Sequence, residues 1–128
     1  MTFASAATPM AYLYVTDLAR ARAFYTGPLG LTVQAGSGDD YGEVWELGGA
    51  LLRVTVMPDH AASAHPVLGW QVADMDAAAK ALAGHGIAFI VYDGMGQDEL
   101  GVWTSDDGKS RMAWFADPDG NVLMLTQD

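Results

Sequence analysis

Val15-Thr-Asp-Leu-Ala-Arg-Ala-Arg-Ala-Phe-Tyr25 is echoed 57 residues later by Val72-Ala-Asp-Met-Asp-Ala-Ala-Ala-Lys-Ala-Leu82. Each copy reads as the end of a strand, an Asp able to cap, and a helix with a narrow apolar face. That face is Leu18, Ala21, Phe24 and Tyr25 in the first copy. In the second it is Met75, Ala78, Ala79 and Leu82, at i, i+3, i+4 and i+7. A repeat of this length predicts one supersecondary unit used twice.

Working outward, residues 10–15 alternate and are rich in β-formers, which predicts a strand before the first helix. Gly27-Pro28 ends that helix. Residues 31–35, 41–47 and 50–57 read as three more strands, parted by Gly-rich turns at 36–40 and 48–49. Residues 59–66 form a linker that carries His60 and His65. The second copy repeats the order. A strand at 67–72 precedes a helix capped by Asp74 and stopped by Gly84-His85-Gly86. Strands follow at 87–92, less regularly at 100–104, at 111–116 and at 121–126. Asp117-Pro118-Asp119-Gly120 is the turn between the last two.

The fold class is therefore α+β: tandem βαβββ modules in a single domain spanning 1–128. Module one covers about 10–58 and module two about 67–127. Such units bury one sheet face beneath the helix and leave the other to curl into a cup, with the helices outside. Strand alternation assigns the faces. Leu13 and Val15 fall on the core face of the first strand; Met10, Tyr12 and Tyr14 fall on the other. Leu52 and Val54 face the core opposite Arg53 and Thr55. In module two, Leu68 and Trp70 are separated in the same way from Val67 and Gln71, and Leu123 and Leu125 from Met124.

Composition excludes several classes. The net charge is −10, and nucleic acid or an anionic membrane would need basic surface, so neither is a partner. The same charge would attract a cationic ligand. There is no cysteine, which removes disulfides, thiolate metal sites and a Cys nucleophile. No segment has the roughly 20 apolar residues of a spanning helix, and residues 1–10 lack the pattern of a signal peptide. The expected location is cytoplasmic. Gly36-Ser-Gly-Asp-Asp-Tyr-Gly42 precedes a strand and carries two Asp, so it is no phosphate loop. No Gly-x-Ser-x-Gly elbow occurs. Glu43 and Glu46 lie on opposite faces of one strand, and alternation does not say which enters the cup.

Val15-Thr-Asp-Leu…Ala-Phe-Tyr25, Val72-Ala-Asp-Met-Asp and Phe115-Ala-Asp-Pro-Asp-Gly-Asn121 together resemble the vicinal oxygen chelate superfamily. It holds glyoxalase I, extradiol dioxygenases and bleomycin-resistance proteins. The resemblance covers nearly the whole chain and implies the cup, and often dimerisation. In metal-using members His, Gln or Glu stands on the inner strands. Carried over, those positions are Met10, Val67, Met124 and either Arg53 or Thr55. None is a usual donor for Zn²⁺, Ni²⁺, Mn²⁺ or Fe²⁺, so neither metal nor other cofactor is expected.

The reading drawn from these residues is a metal-independent, homodimeric small-molecule binder of the glyoxalase/bleomycin-resistance type. Its ligand would be a small organic compound, cationic or aromatic. The expected ligand-binding residues are Met10, Tyr12, Tyr14, Trp45, Arg53, Thr55, Val67, Gln71, Trp103 and Met124. An alternative is a metal-free isomerase or lyase, with Glu43 or Glu46 as base and Arg53 stabilising an enolate. A third is a metal enzyme with relocated ligands, which needs His60 or His65 in the cup.

Overall fold

The computed structural model describes all 128 residues. A short helix α1 (Phe3–Ala6) precedes β1 (Met10–Val15), α2 (Leu18–Thr26), β2 (Thr32–Val33), β3 (Gly42–Glu46) and β4 (Leu51–Val56). The second run is β5 (Pro66–Gln71), α3 (Met75–Gly84), β6 (Trp103–Thr104), β7 (Arg111–Ala116) and β8 (Val122–Gln127). The chain divides into two compact units, Met1–Ala61 and Ala62–Asp128, with the division inside the expected linker.

Both units have the same topology, and the fold is α+β with a βαβββ-like repeat. Sheet one runs β1-β4-β3-β2 and sheet two β5-β8-β7-β6. In each the first strand lies parallel to the last, and the other pairings are antiparallel, so both sheets are mixed. Tyr14 pairs with Thr55, and Gln71, 57 residues after Tyr14, pairs with Thr126, so the registers of the two sheets correspond although β8 follows β4 by 71 residues.

The helices form where the capping Asp residues predict. Asp17 accepts a hydrogen bond from the Arg20 N–H and Asp74 from the Ala77 N–H, each at 3.0 Å. Each helix covers one face of its own sheet. Under α2 lie Leu13, Val15, Trp45, Leu52 and Val54, with Ala21 and Tyr25 from the helix. Under α3 lie Ala113, Phe115, Leu123 and Leu125, with Met75 and Ala79. The Asp117–Gly120 turn is pinned by Asp117, whose carboxylate accepts the Asp119 and Asn121 N–H groups and the Asn121 side-chain amide.

One expected strand is absent. Residues 87–92 make only an isolated bridge, Phe89 to Phe115, and the Ile90 N–H donates to the Trp114 carbonyl at 2.8 Å. The Gln97 side chain engages three nearby backbone groups. Its oxygen accepts from the Tyr92 N–H, and its amide donates to the Ile90 and Gly101 carbonyls. A side chain thus replaces the ladder, and strand geometry is lost. The strand expected at 31–35 shortens for a simpler reason: only Thr32 and Val33 pair with β3.

Candidate functional site

The face of sheet one away from α2 is built in cross-strand rows. Thr32, Glu46, Leu51 and Met10 form one row; Val44, Arg53 and Tyr12 the next; Gly42, Thr55 and Tyr14 the third. Gly42 fits there because any Cβ would lie 1.8 Å from the Val54 carbonyl oxygen. Met10, Tyr12 and Tyr14 stand out from this face at 40, 62 and 44% exposure. Two phenols and a thioether thus form an exposed, partly apolar line along one strand.

Three charges, Arg53, Asp39 and Glu46, meet on that face. The Arg53 guanidinium donates to Asp39 Oδ1 at 3.0 Å. The same carboxylate oxygen accepts the Tyr41 and Gly42 N–H groups at 2.8 and 2.9 Å. These bonds hold Asp39 below the usual carboxylate range, with the Arg53 bond the largest cause. Glu46 has no hydrogen-bond or ion-pair partner. It lines an open concavity of about 610 Å³ with Thr8, Thr32, Leu51 and the Gly48-Gly49 turn. Beside Tyr14, the half-buried His60 places its ring centroid 6.1 Å away.

Sheet two presents a different surface. Trp103, Met112, Thr126 and Gln71 form one row, and Trp114, Met124 and Gly69 the next. Val67 sits at a register shift between Pro66 and Leu68 and is 44% exposed. Val67, Gly69, Gln71, Met124 and Thr126 border a concavity of about 400 Å³. Trp114 is nearly covered, with Tyr92 packed edge-on at 5.4 Å.

Most of the expected ligand-binding residues therefore fall on the open faces. Met10, Tyr12, Tyr14, Arg53 and Thr55 share sheet one's; Val67, Gln71, Trp103 and Met124 share sheet two's. Trp45 does not. It is fully buried beneath α2, with its ring 5.1 Å from that of Tyr25, and it cannot touch a ligand on the open face.

Glu43 also lies on the helix side. Arg22 grips its carboxylate through two nitrogens, Nε at 2.9 Å, and the Trp45 indole N–H donates to it at 2.6 Å. The Arg22 bond is the main cause that holds Glu43 below its ordinary value, against the upward push of burial. A general base needs the opposite shift and a place beside substrate, so Glu43 is removed from the isomerase scheme.

Sequence reasoning missed Asp39 and Met112 as members of these faces and left the side of Trp114 undecided. Asp39 was legible only as a turn residue, because its partner Arg53 is 14 positions away. The rows that include Met112 and Trp114 need the register.

A divalent ion finds no suitable donors at the positions marked by the resemblance. In unit one they hold the Met10 thioether, the Asp39-paired Arg53 guanidinium and the Thr55 hydroxyl; in unit two, the Val67 hydrocarbon and the Met124 thioether. These groups do not fit Zn²⁺, Ni²⁺, Mn²⁺ or Fe²⁺. No three His, Asp or Glu side chains gather into a potential ligand set, so His60 and His65 supply no replacement. No helix is long and apolar enough to cross a membrane.

Two mixed sheets of βαβββ topology, each with one helix-covered and one open face, define the class. The sequence matches the Glyoxalase/Bleomycin resistance protein/Dioxygenase superfamily over residues 6–125, and the chain belongs to that superfamily. It is similar in fold to a glyoxalase/bleomycin resistance protein/dioxygenase from Alicyclobacillus acidocaldarius (TM-score 0.71, 19% identity, 94% of this chain and 90% of that one). A glyoxalase/bleomycin resistance protein from Catenulispora acidiphila has a TM-score of 0.67 and 24% identity, with 93% and 96% covered. The fosfomycin resistance protein FosX from Listeria monocytogenes has a TM-score of 0.71 and 13% identity, with 95% and 93% covered. At these identities the likeness concerns the fold alone. No curated protein matches the chain.

Proposed function

We propose that the protein binds a small organic ligand on the open faces of its sheets without a metal ion, as a cytoplasmic homodimer. The observation that carries this reading is the exposed line Met10, Tyr12 and Tyr14, set beside Arg53 and Thr55 and turned away from the helix. Aromatic faces with a few orienting polar groups suit a compact organic molecule. Glu46, unpartnered on the same face, together with the net charge of −10, favours a ligand that is aromatic and positively charged.

The test is a saturation-transfer NMR screen of aromatic amines and amidines against chelator-treated protein. Binding by the stripped protein, weakened about tenfold by a Tyr12→Ala/Tyr14→Ala double variant, is the expected result. Binding that appears only after Zn²⁺ or Mn²⁺ is added would overturn metal independence. Absence of binding under both conditions overturns the reading itself. Light scattering checks the dimer.

The isomerase or lyase alternative keeps one candidate base, Glu46. Antiparallel diagonal neighbours lie about 7–8 Å apart, which separates it from Arg53 by roughly the length of a small substrate. Ligand C–H exchange in D₂O that is lost in Glu46→Gln would favour it.

A further inference from the structure

The open face of sheet one contains a cation that its own chain cancels. Arg53 sits in the central row between Tyr12 and Val44, where any ligand lying on Tyr12 would meet it. A free guanidinium there would favour carboxylates and repel ammonium or amidinium groups. Asp39 reaches in from the turn before β3 and takes that charge at 3.0 Å. We infer that Asp39 is the specificity-determining residue of this face: by neutralising Arg53 it makes the face select cationic over anionic aromatic ligands. The inference rests on the binding function proposed above and names the residue that sets its charge preference.

The geometry separates this role from a purely structural one. Asp39 Oδ1 also accepts the Tyr41 and Gly42 N–H groups. An Asn carbonyl oxygen can accept both bonds in the same place. Asp39→Asn therefore keeps the turn and removes only the negative charge. With Asp39 neutral, Arg53 and Glu46 remain as the two opposed charges on the face, and the guanidinium becomes available to a ligand carboxylate.

The probes are benzamidine, benzamide and benzoate, which share a ring and differ in charge. Their dissociation constants are measured by NMR titration for wild type, Asp39→Asn and Asp39→Asn/Arg53→Gln at low and high salt. For Asp39→Asn, benzamidine should weaken and benzoate tighten, each by roughly three- to tenfold, as expected for one surface charge at a few ångströms. Benzamide should stay within twofold. Added salt should shrink the difference, and Arg53→Gln should abolish the gain for benzoate. An unchanged benzamidine-to-benzoate ratio in a folded Asp39→Asn protein that still binds the probes overturns the inference and leaves the binding function standing. If no probe binds wild type or either variant, both fall.

Discussion

The two modules fill equivalent space by opposite means. At the 57-residue offset, Arg22 corresponds to Ala79 and, through the paired registers, Glu43 to Ala113 and Trp45 to Phe115. Module one closes its helix–sheet layer with a buried carboxylate held by a guanidinium and an indole N–H. Module two closes the same layer with two fully buried alanines and a Phe. Close approach of small residues needs no partner for any polar atom. A buried ion pair must satisfy every lone pair it takes from water. The comparison shows that one backbone plan accepts either solution when all members of the set change together.

The largest expected effect breaks the charged solution at one member. Glu43→Ala leaves the buried Trp45 N–H unpaired and Arg22 without its carboxylate. Arg22 is half-exposed and can turn to solvent, so the cost should be about 2–3 kcal/mol, below the usual figure for a fully buried pair. Urea denaturation measures it. The triple change Arg22→Ala/Glu43→Ala/Trp45→Phe imports module two's set and should recover part of that loss. No recovery would mean that the two layers are not interchangeable.

Gly69 tests the corresponding difference on the open faces. It occupies the place of Tyr12, and an added Cβ would come 2.7 Å from the Met124 carbonyl oxygen. Gly69→Ala should cost about 1–2 kcal/mol by pushing β5 from β8. Tyr12→Ala should stay within about 0.5 kcal/mol, because the ring is largely in water. Equal losses at the two sites would erase the distinction. The caps should show no contrast: Asp17→Ala and Asp74→Ala should each cost about 1 kcal/mol, and a large inequality in thermal melts would show that the helices contribute unequally.

The smallest effect is an acid slope. Glu43 is held below its ordinary value in the folded state, chiefly by the Arg22 hydrogen bond. Its contribution is complete above the unfolded glutamate value and is lost as pH falls through the lower folded one. Glu43→Gln should therefore flatten the loss of stability below about pH 4.3. Asp76, lowered mainly by Arg111 in module two, keeps its share of the slope. An unchanged acid limb would show that Arg22 does not hold Glu43 charged in solution.

Local chemistry made the repeat legible. Asp17 and Asp74 cap where they stand, and the alternation in residues 10–15 and 50–57 assigned two strands to the correct faces. The strand from Gly42 to Glu46 was ambiguous because its parity groups an acid with an indole. Arg22, 21 positions earlier, makes that side of the strand the buried one. Residues 87–92 have strand-like composition, but the competing partner is the Gln97 side chain. Both outcomes depend on a long side chain finding backbone or charge across the fold, and periodicity carries no record of that. The same holds for the Arg53–Asp39 pair, the part of the candidate site that was hardest to read.

The parallel pairing that opens each module also sets an order of assembly during synthesis. β1 finds its partner when Leu51–Val56 has been made, so sheet one can close while module two is still being translated. β5 must wait for Val122–Gln127. Until then its exposed edge, with Val67 and Trp70, is an unpaired strand in a growing chain. Commitment to the second half of the fold comes only when those six residues leave the ribosome.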